Sequence, residues 1–159
     1  MKNIQKGILL LVLFCLVQCE KDSDSILQDQ NDYLIFGYFY GECIGQGCIQ
    51  TYKLTTTELF RDTTPNNYAG SSPFTFEVMN TEIFEQVKSL KEDFPRTLLT
   101  LNEDTFGCPD CADQGGLLIE YSTGIKKKRW TIDQRKSAVP EFLHEFMDAV
   151  NKNINTINN

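Results

Sequence analysis

The sequence predicts an α+β domain: an antiparallel sheet of four to six strands with two helices packed on one face, in the order ββ(β)αββα. Three observations predict it. Short apolar runs such as "YLIFGYFYGEC" and "GLLIEYS" are bounded by Gly, Thr, Asn and Pro, as strands and turns require. Two segments, one central and one C-terminal, switch to a 3.6-residue apolar period. Strands and helices fall in blocks and do not alternate singly, which favours an antiparallel sheet with segregated helices.

Tyr33 to Cys43 is apolar on both alternating faces, the pattern of an interior strand. The glycines of "GECIGQGC" make a turn, and "IQTYKL" returns as a second strand, so a hairpin closes near Cys43 and Cys48. "TTT" turns the chain again before a third strand, "ELFRD". Asp62 to Pro73, rich in Thr, Pro, Asn, Gly and Ser, is a loop, with "FTFEV" offering a further short strand. Asn80 or Thr81 caps a helix over "TEIFEQVKSLKED", whose Ile83, Val87 and Leu90 share a face, and Pro95 ends it. Arg96 to Gly115 shows no period beyond "LLTL", and a loop that long needs a function or a staple. "GLLIEYSTGIKKKRWTID" reads as a hairpin turning at Ser122-Thr123-Gly124. Pro140 opens a last helix, with Leu143, Phe146, Met147, Val150, Ile154 and Ile157 on one side.

The first 25 residues speak to location. Lys2 and Lys6 precede an apolar run from Gly7 to Val17, 11 residues long. A bilayer span needs about 20 residues, so the run is the length of a secretory signal and too short for an anchor. "LVQC" then resembles a bacterial lipobox, with Gln18 departing from the usual small residue. The resemblance implies cleavage after residue 18 and lipidation of Cys19, while Cys15 is discarded with the signal. "CEKDSDS" is similar to the acidic signal of surface-exposed lipoproteins of Bacteroidetes-type bacteria, which implies an outer-membrane lipoprotein on the cell surface, or otherwise facing the periplasm. Asp24-Ser25-Ile26 and Asp62-Thr63-Thr64 are similar to the O-glycosylation motif of the same bacteria, making Ser25 and Thr63 candidate acceptors. The expected organisation is a signal peptide over 1–18, a lipidated polar tether over 19–32 and a single domain over 33–159.

Loss of the signal leaves 141 residues, enough for one core, and 13 basic against 22 acidic residues, about −9. Such a chain repels nucleic acid, whose binding rests on phosphate neutralisation. The expected partners are therefore the membrane, through the lipid, and a protein or glycan ligand.

Cys43-x4-Cys48 and Cys108-x2-Cys111 carry the main chemical question. Two close pairs suit a tetrahedral zinc site, a thiol-redox couple or two structural bridges. Export favours bridges, with local pairing within each couple; cross-pairing of the two loops stays open. A redox site would want Cys108 or Cys111 at a helix N-terminus, whereas "ADQGG" leads into a strand, and Asp110 and Asp113 oppose thiolate formation. The leading reading is thus a disulfide-stapled binding domain without a cofactor. The alternative is a metal-binding or redox domain using the four cysteines, with zinc.

Other residues carry less. His144 is the single histidine and falls between core positions of the last helix, with no nucleophile motif to serve. Glu82-Glu85 and Glu141-Glu145 have ordinary helix-surface spacings. The basic run Lys126, Lys127, Lys128, Arg129, with Trp130 beside it, could contact an anionic ligand or stack on a sugar; a solvated hairpin strand with a buried tryptophan is its plainer explanation. "GYFYG" could line an aromatic groove, although a central strand makes it core. No catalytic set emerges, and the protein is expected to bind and not to turn over.

Overall fold

The computed structural model describes residues 32–43, 45 and 47–159. The signal region, the lipidation site Cys19, the tether to residue 31 and the candidate acceptor Ser25 lie outside the described residues.

The elements run β1 (Asp32–Phe39), β2 (Ile49–Leu54), β3 (Leu59–Asp62), β4 (Phe76–Val78), α1 (Thr81–Val87), β5 (Thr105–Phe106), β6 (Gly116–Thr123), β7 (Lys127–Asp133) and α2 (His144–Asn158), with short 3-10 turns between them. The seven strands form one sheet in the order β4-β3-β2-β1-β6-β7-β5. This corrects the expected antiparallel sheet of four to six strands. β5 lies parallel to β7, Thr105 opposite Thr131 and Phe106 opposite Ile132, so the sheet has seven strands and is mixed. The expected order also lacked β5, which sits between α1 and β6.

β1 is central because both of its edges are used. Leu34 and Phe36 face Leu54 and Tyr52 on β2, and Tyr121 and Ile119 on β6. Side chains alternate along a strand. Leu34, Phe36, Tyr52, Leu54, Ile119, Tyr121, Trp130 and Ile132 therefore share one face, and the residues between them share the other. The first face forms the core with Phe84 and Val87 of α1 and Phe146, Met147, Val150, Ile154 and Ile157 of α2. Phe94, just beyond α1, sits at its centre, stacked on Tyr121 at 4.3 Å and edge-on to Phe146 at 5.7 Å.

α1 starts where the Asn80 side chain accepts the Glu82 backbone N–H at 2.7 Å, as expected of an N-cap. It is shorter than the period suggested: after Val87 the chain tightens to a 3-10 turn over Lys88–Lys91, which still buries Leu90. α2 follows Pro140 by one 3-10 turn. His144 opens α2, and its Nε2 lies 2.9 Å from the Lys136 carbonyl and 3.2 Å from that of Val139, tying the helix start to the preceding turn. Among the described residues, no helix is long and apolar enough to cross a membrane.

The second face of the sheet is roofed in part by the loop between β3 and β4. Tyr68 packs edge-on against Phe39 at 4.8 Å. Arg129 on β7 donates to the Gly70 carbonyl at 2.7 Å and lies 5.1 Å from the Phe74 ring centroid. Beneath, Glu120 is buried and accepts from Arg129 Nε at 2.8 Å and from the Tyr33 hydroxyl at 3.0 Å. Burial, followed by the Glu120 charge and hydrogen bond, pushes Tyr33 up to about 12, so it stays a neutral donor.

Candidate functional site

A groove of about 910 Å³ opens at one end of the sheet, between the β1–β2 hairpin loop and the β3–β4 loop. It exists because β2 outruns β3. The β2–β3 ladder ends at Tyr52 opposite Arg61, while β2 continues back to Ile49. The Tyr40 N–H donates to the Cys48 carbonyl at 3.0 Å, so alternation turns the Ile49 N–H and C=O away from β1, towards the groove. Tyr40, Gln50, Arg61, Asn66 and Tyr68 contribute side chains to the lining.

Both cysteine pairs are disulfides: Cys43 with Cys48 and Cys108 with Cys111, each with Cα atoms 5.5 Å apart. The pairing is local, and the first bridge closes the hairpin loop that forms one groove wall. The second acts from below. Asp110, inside the Cys108–Cys111 turn and at a left-handed φ of 62°, ties three segments together. Its Oδ2 accepts from the Gly41 N–H at 2.6 Å and the Tyr68 hydroxyl at 2.9 Å, and its Oδ1 from the Gly115 N–H at 3.0 Å. Gly115, itself at φ 72°, leaves room for the Tyr40 ring, which a Cβ there would meet. The loop that lacked a period thus braces both walls of the groove.

The far wall is held by Asp62. Its carboxylate accepts from the backbone N–H groups of Thr75 at 2.8 Å and Thr64 at 3.1 Å, and from the Asn67 amide at 3.0 Å. Within this wall Asn66 and Ala69 have left-handed backbones, φ 51° and 48°. Asn tolerates that region; Ala meets its own Cβ against the following carbonyl. Ala69→Gly should therefore stabilise the chain by about 0.5–1 kcal/mol, relief of the left-handed penalty exceeding the extra freedom of the unfolded chain. The shift in urea midpoint, at unchanged slope, measures it.

Arg61 lines the groove from β3, on the helix-side face of the sheet. Its Nη2 lies 3.3 Å from both the Tyr52 hydroxyl and Asn158 Oδ1, and the guanidinium sits 5.6 Å from the Tyr52 ring centroid. Tyr52 and Asn158 in turn bond to Gln50. No salt bridge reaches Arg61 among the described residues. Burial, then the hydrogen bond to and charge of Asp110, raise the Tyr68 pKa, so its hydroxyl donates at neutral pH.

The basic run is placed elsewhere and is largely engaged. Trp130 is fully buried, so it cannot stack on a ligand. Lys128 donates to the Leu101 carbonyl and lies over the Trp130 ring, on the helix side. Arg129 and Lys127 point to the opposite face, where Lys127 lies 3.7 Å from Glu120. Lys126 is exposed at the turn. Thr63, the described acceptor candidate, lines the groove, and its hydroxyl donates to the Thr75 carbonyl at 3.1 Å. Among the described residues, no group of three or more His, Cys, Asp and Glu is arranged to hold a metal ion. The four sulfurs meet in two local disulfides.

Arg61, Gln50, Tyr68 and Asp110 were not singled out from the sequence as binding or bracing residues. The signals that reached the groove were the aromatic "GYFYG" run, through Tyr40 and Gly41, the cysteines Cys43 and Cys48, and the acceptor candidate Thr63. The chain matches no protein-family model, no curated protein and no solved structure.

Proposed function

We propose that this is a lipid-anchored binding domain of the bacterial envelope, displayed on the cell surface from Cys19, that holds a ligand in the groove beside Tyr40, Arg61 and Tyr68. The observation that carries the binding role is the bracing of that groove. Two disulfide-closed turns, the Asp110 latch and the Asp62 hub fix walls that would otherwise be free loops. Fixed walls lower the ordering cost of binding. The volume falls within the ~300–1,000 Å³ range usual for small-ligand sites. The lining offers rings, amides and a guanidinium, and presents no nucleophile paired with a base. The address rests on the "LVQC" and "CEKDSDS" stretches alone.

Gly47 supplies the test, because it lines the groove and a Cβ there would meet nothing within 4 Å. The full exported chain, in detergent, is passed over immobilised oligosaccharides and short peptides, beside a Gly47→Trp variant. Capture by the natural chain that the indole abolishes is the expected result. No capture, capture indifferent to the indole, or turnover abolished by replacing His144 or one carboxylate would overturn the reading.

A further inference from the structure

The groove's chemistry narrows the ligand, on the footing that the groove is the binding site. Three kinds of its lining side chains bear on the ligand. Tyr68 presents an aromatic ring whose position is fixed at both ends, by Phe39 behind it and by Asp110 at its hydroxyl. Gln50 and Asn66 present amides, and Thr64 a hydroxyl that accepts from the Thr75 N–H at 2.9 Å and donates to the Pro73 carbonyl at 3.2 Å. Arg61 presents a guanidinium. Aliphatic side chains are scarce, limited to Ile49 and Pro65. A peptide ligand draws its affinity from apolar anchors in desolvated pockets, and this lining supplies few. A sugar ring has the complementary make-up: a face of C–H groups suited to an electron-rich ring, and a rim of hydroxyls suited to amides.

Arg61 adds a charge requirement. Its Nη2 is occupied by Tyr52 and Asn158, which orient the guanidinium plane, while Nε and Nη1 have no hydrogen-bond partner among the described residues. Asp62, the adjacent carboxylate, is already taken by three donors and points to the opposite face of β3. Nε and Nη1 lie on different edges of the guanidinium, so a carboxylate meets one charge-assisted N–H donor there together with the full positive charge. The chain as a whole carries a net charge of −7, so a long polyanion would be repelled and a ligand with one acid group at this spot would not.

We propose that the groove binds a short oligosaccharide bearing a carboxylate, a uronic-acid type of sugar, with its carboxylate on Arg61, on the helix-side face of the sheet, and another of its rings against Tyr68, on the opposite face. Binding is reversible and involves no covalent step. Arg61 is the one cation among the described lining residues, and the Asp62 carboxylate beside it is spent on three donors, so selectivity for the acid over the neutral sugar resides in Arg61.

The test is calorimetric titration of the full chain in detergent with a disaccharide ending in glucuronic acid, and with the matching disaccharide ending in glucose. The acid is expected to bind at least about tenfold tighter, a charge-assisted hydrogen-bonded pair being worth about that much. Arg61→Gln should remove the preference, the acid losing at least about tenfold more affinity than the neutral sugar. Arg61→Lys, which keeps the charge but loses the guanidinium plane held by Tyr52 and Asn158, should fall between, and both variants should still unfold in one cooperative transition. Equal binding of the two disaccharides, lost in Gly47→Trp, would overturn the acid assignment and leave the binding groove standing. Binding of neither, with capture of a short peptide through its free carboxylate, would overturn the sugar and keep the groove. Binding of no probe would overturn both.

Discussion

Replacing Phe94 by Ala is expected to lower the stability of the domain by about 3–5 kcal/mol, the range for truncating a buried phenylalanine. The site is unusual in the number of aromatic partners that converge on one ring. Phe94 stacks on Tyr121 at 4.3 Å with planes 19° apart, lies 5.8 Å from Trp130, and meets Phe146 edge-on at 5.7 Å. It joins β6, β7 and α2 from a segment that belongs to none of them. Truncation removes the transferred area and leaves a cavity that three ring neighbours, each fixed in its own element, cannot close. Total stabilities of single domains are about 5–15 kcal/mol, so this one change removes a large part of the margin. Guanidinium unfolding followed by tryptophan fluorescence reads it directly, since Trp130 borders the cavity. A loss under about 1 kcal/mol would mean that the ring is not where the core is built. Phe94→Leu, which refills much of the volume, should lie between the two.

The position of Phe94 shows what the sequence makes visible. Its burial could be read from the period of the preceding helix, because Ile83, Val87 and Leu90 lead up to it. The same kind of local signal marked β1, β2, β3, the β6–β7 hairpin and α2, each of which buries residues at its own period. β5 has no such signal. It is two residues long, and it becomes a strand only because it lies along β7, the Thr131 N–H donating to the Asp104 carbonyl at 2.9 Å. A pairing across 26 positions leaves no trace in a window of ten.

The groove was hidden for a related reason. Its walls come from Tyr40 to Gln50 and from Arg61 to Tyr68, and its brace from Asp110, so no short motif contains it. Asp110 could be read locally only as a carboxylate unfavourable to a neighbouring thiolate. Its structural task depends on Gly41 and Tyr68, which lie 69 and 42 positions away. The basic run shows the converse, a local signal that the fold divides. "KKKR" looks like one patch in the sequence, but alternation along β7 divides it between two faces, and each face already contains something for the charges to meet.

Asp133 should show the second large effect, and one that depends on pH. The residue ends β7, and its carboxylate is fully buried. It accepts from the backbone N–H of Arg135 at 2.8 Å, that of Cys108 at 3.0 Å, and the Gln114 amide at 3.2 Å. The disulfide turn bearing Asp110 is thereby fastened to the end of β7. Asp133→Ala strands these donors and is expected to cost about 3 kcal/mol at neutral pH, each unsatisfied group contributing about 1–3. Burial by itself would raise the carboxyl pKa; the Arg135 and Cys108 amides, Gln114 and the Arg135 charge outweigh it and hold the group below its ordinary 3.8. With the folded pKa below the unfolded one, the unfolded chain takes up a proton first as the pH drops. The contribution is therefore complete above the unfolded value and is lost as pH falls through the folded one. Urea titrations at pH 7, 4 and 2.5 should find the gap between the natural chain and the Ala variant widest at pH 7 and narrowing below about pH 4. A gap constant across that range would show that the carboxylate contributes as a shape and not as a charge. Because the same turn carries Asp110, ligand affinity in the groove should weaken with the stability of Asp133→Ala, even though Asp133 does not line it.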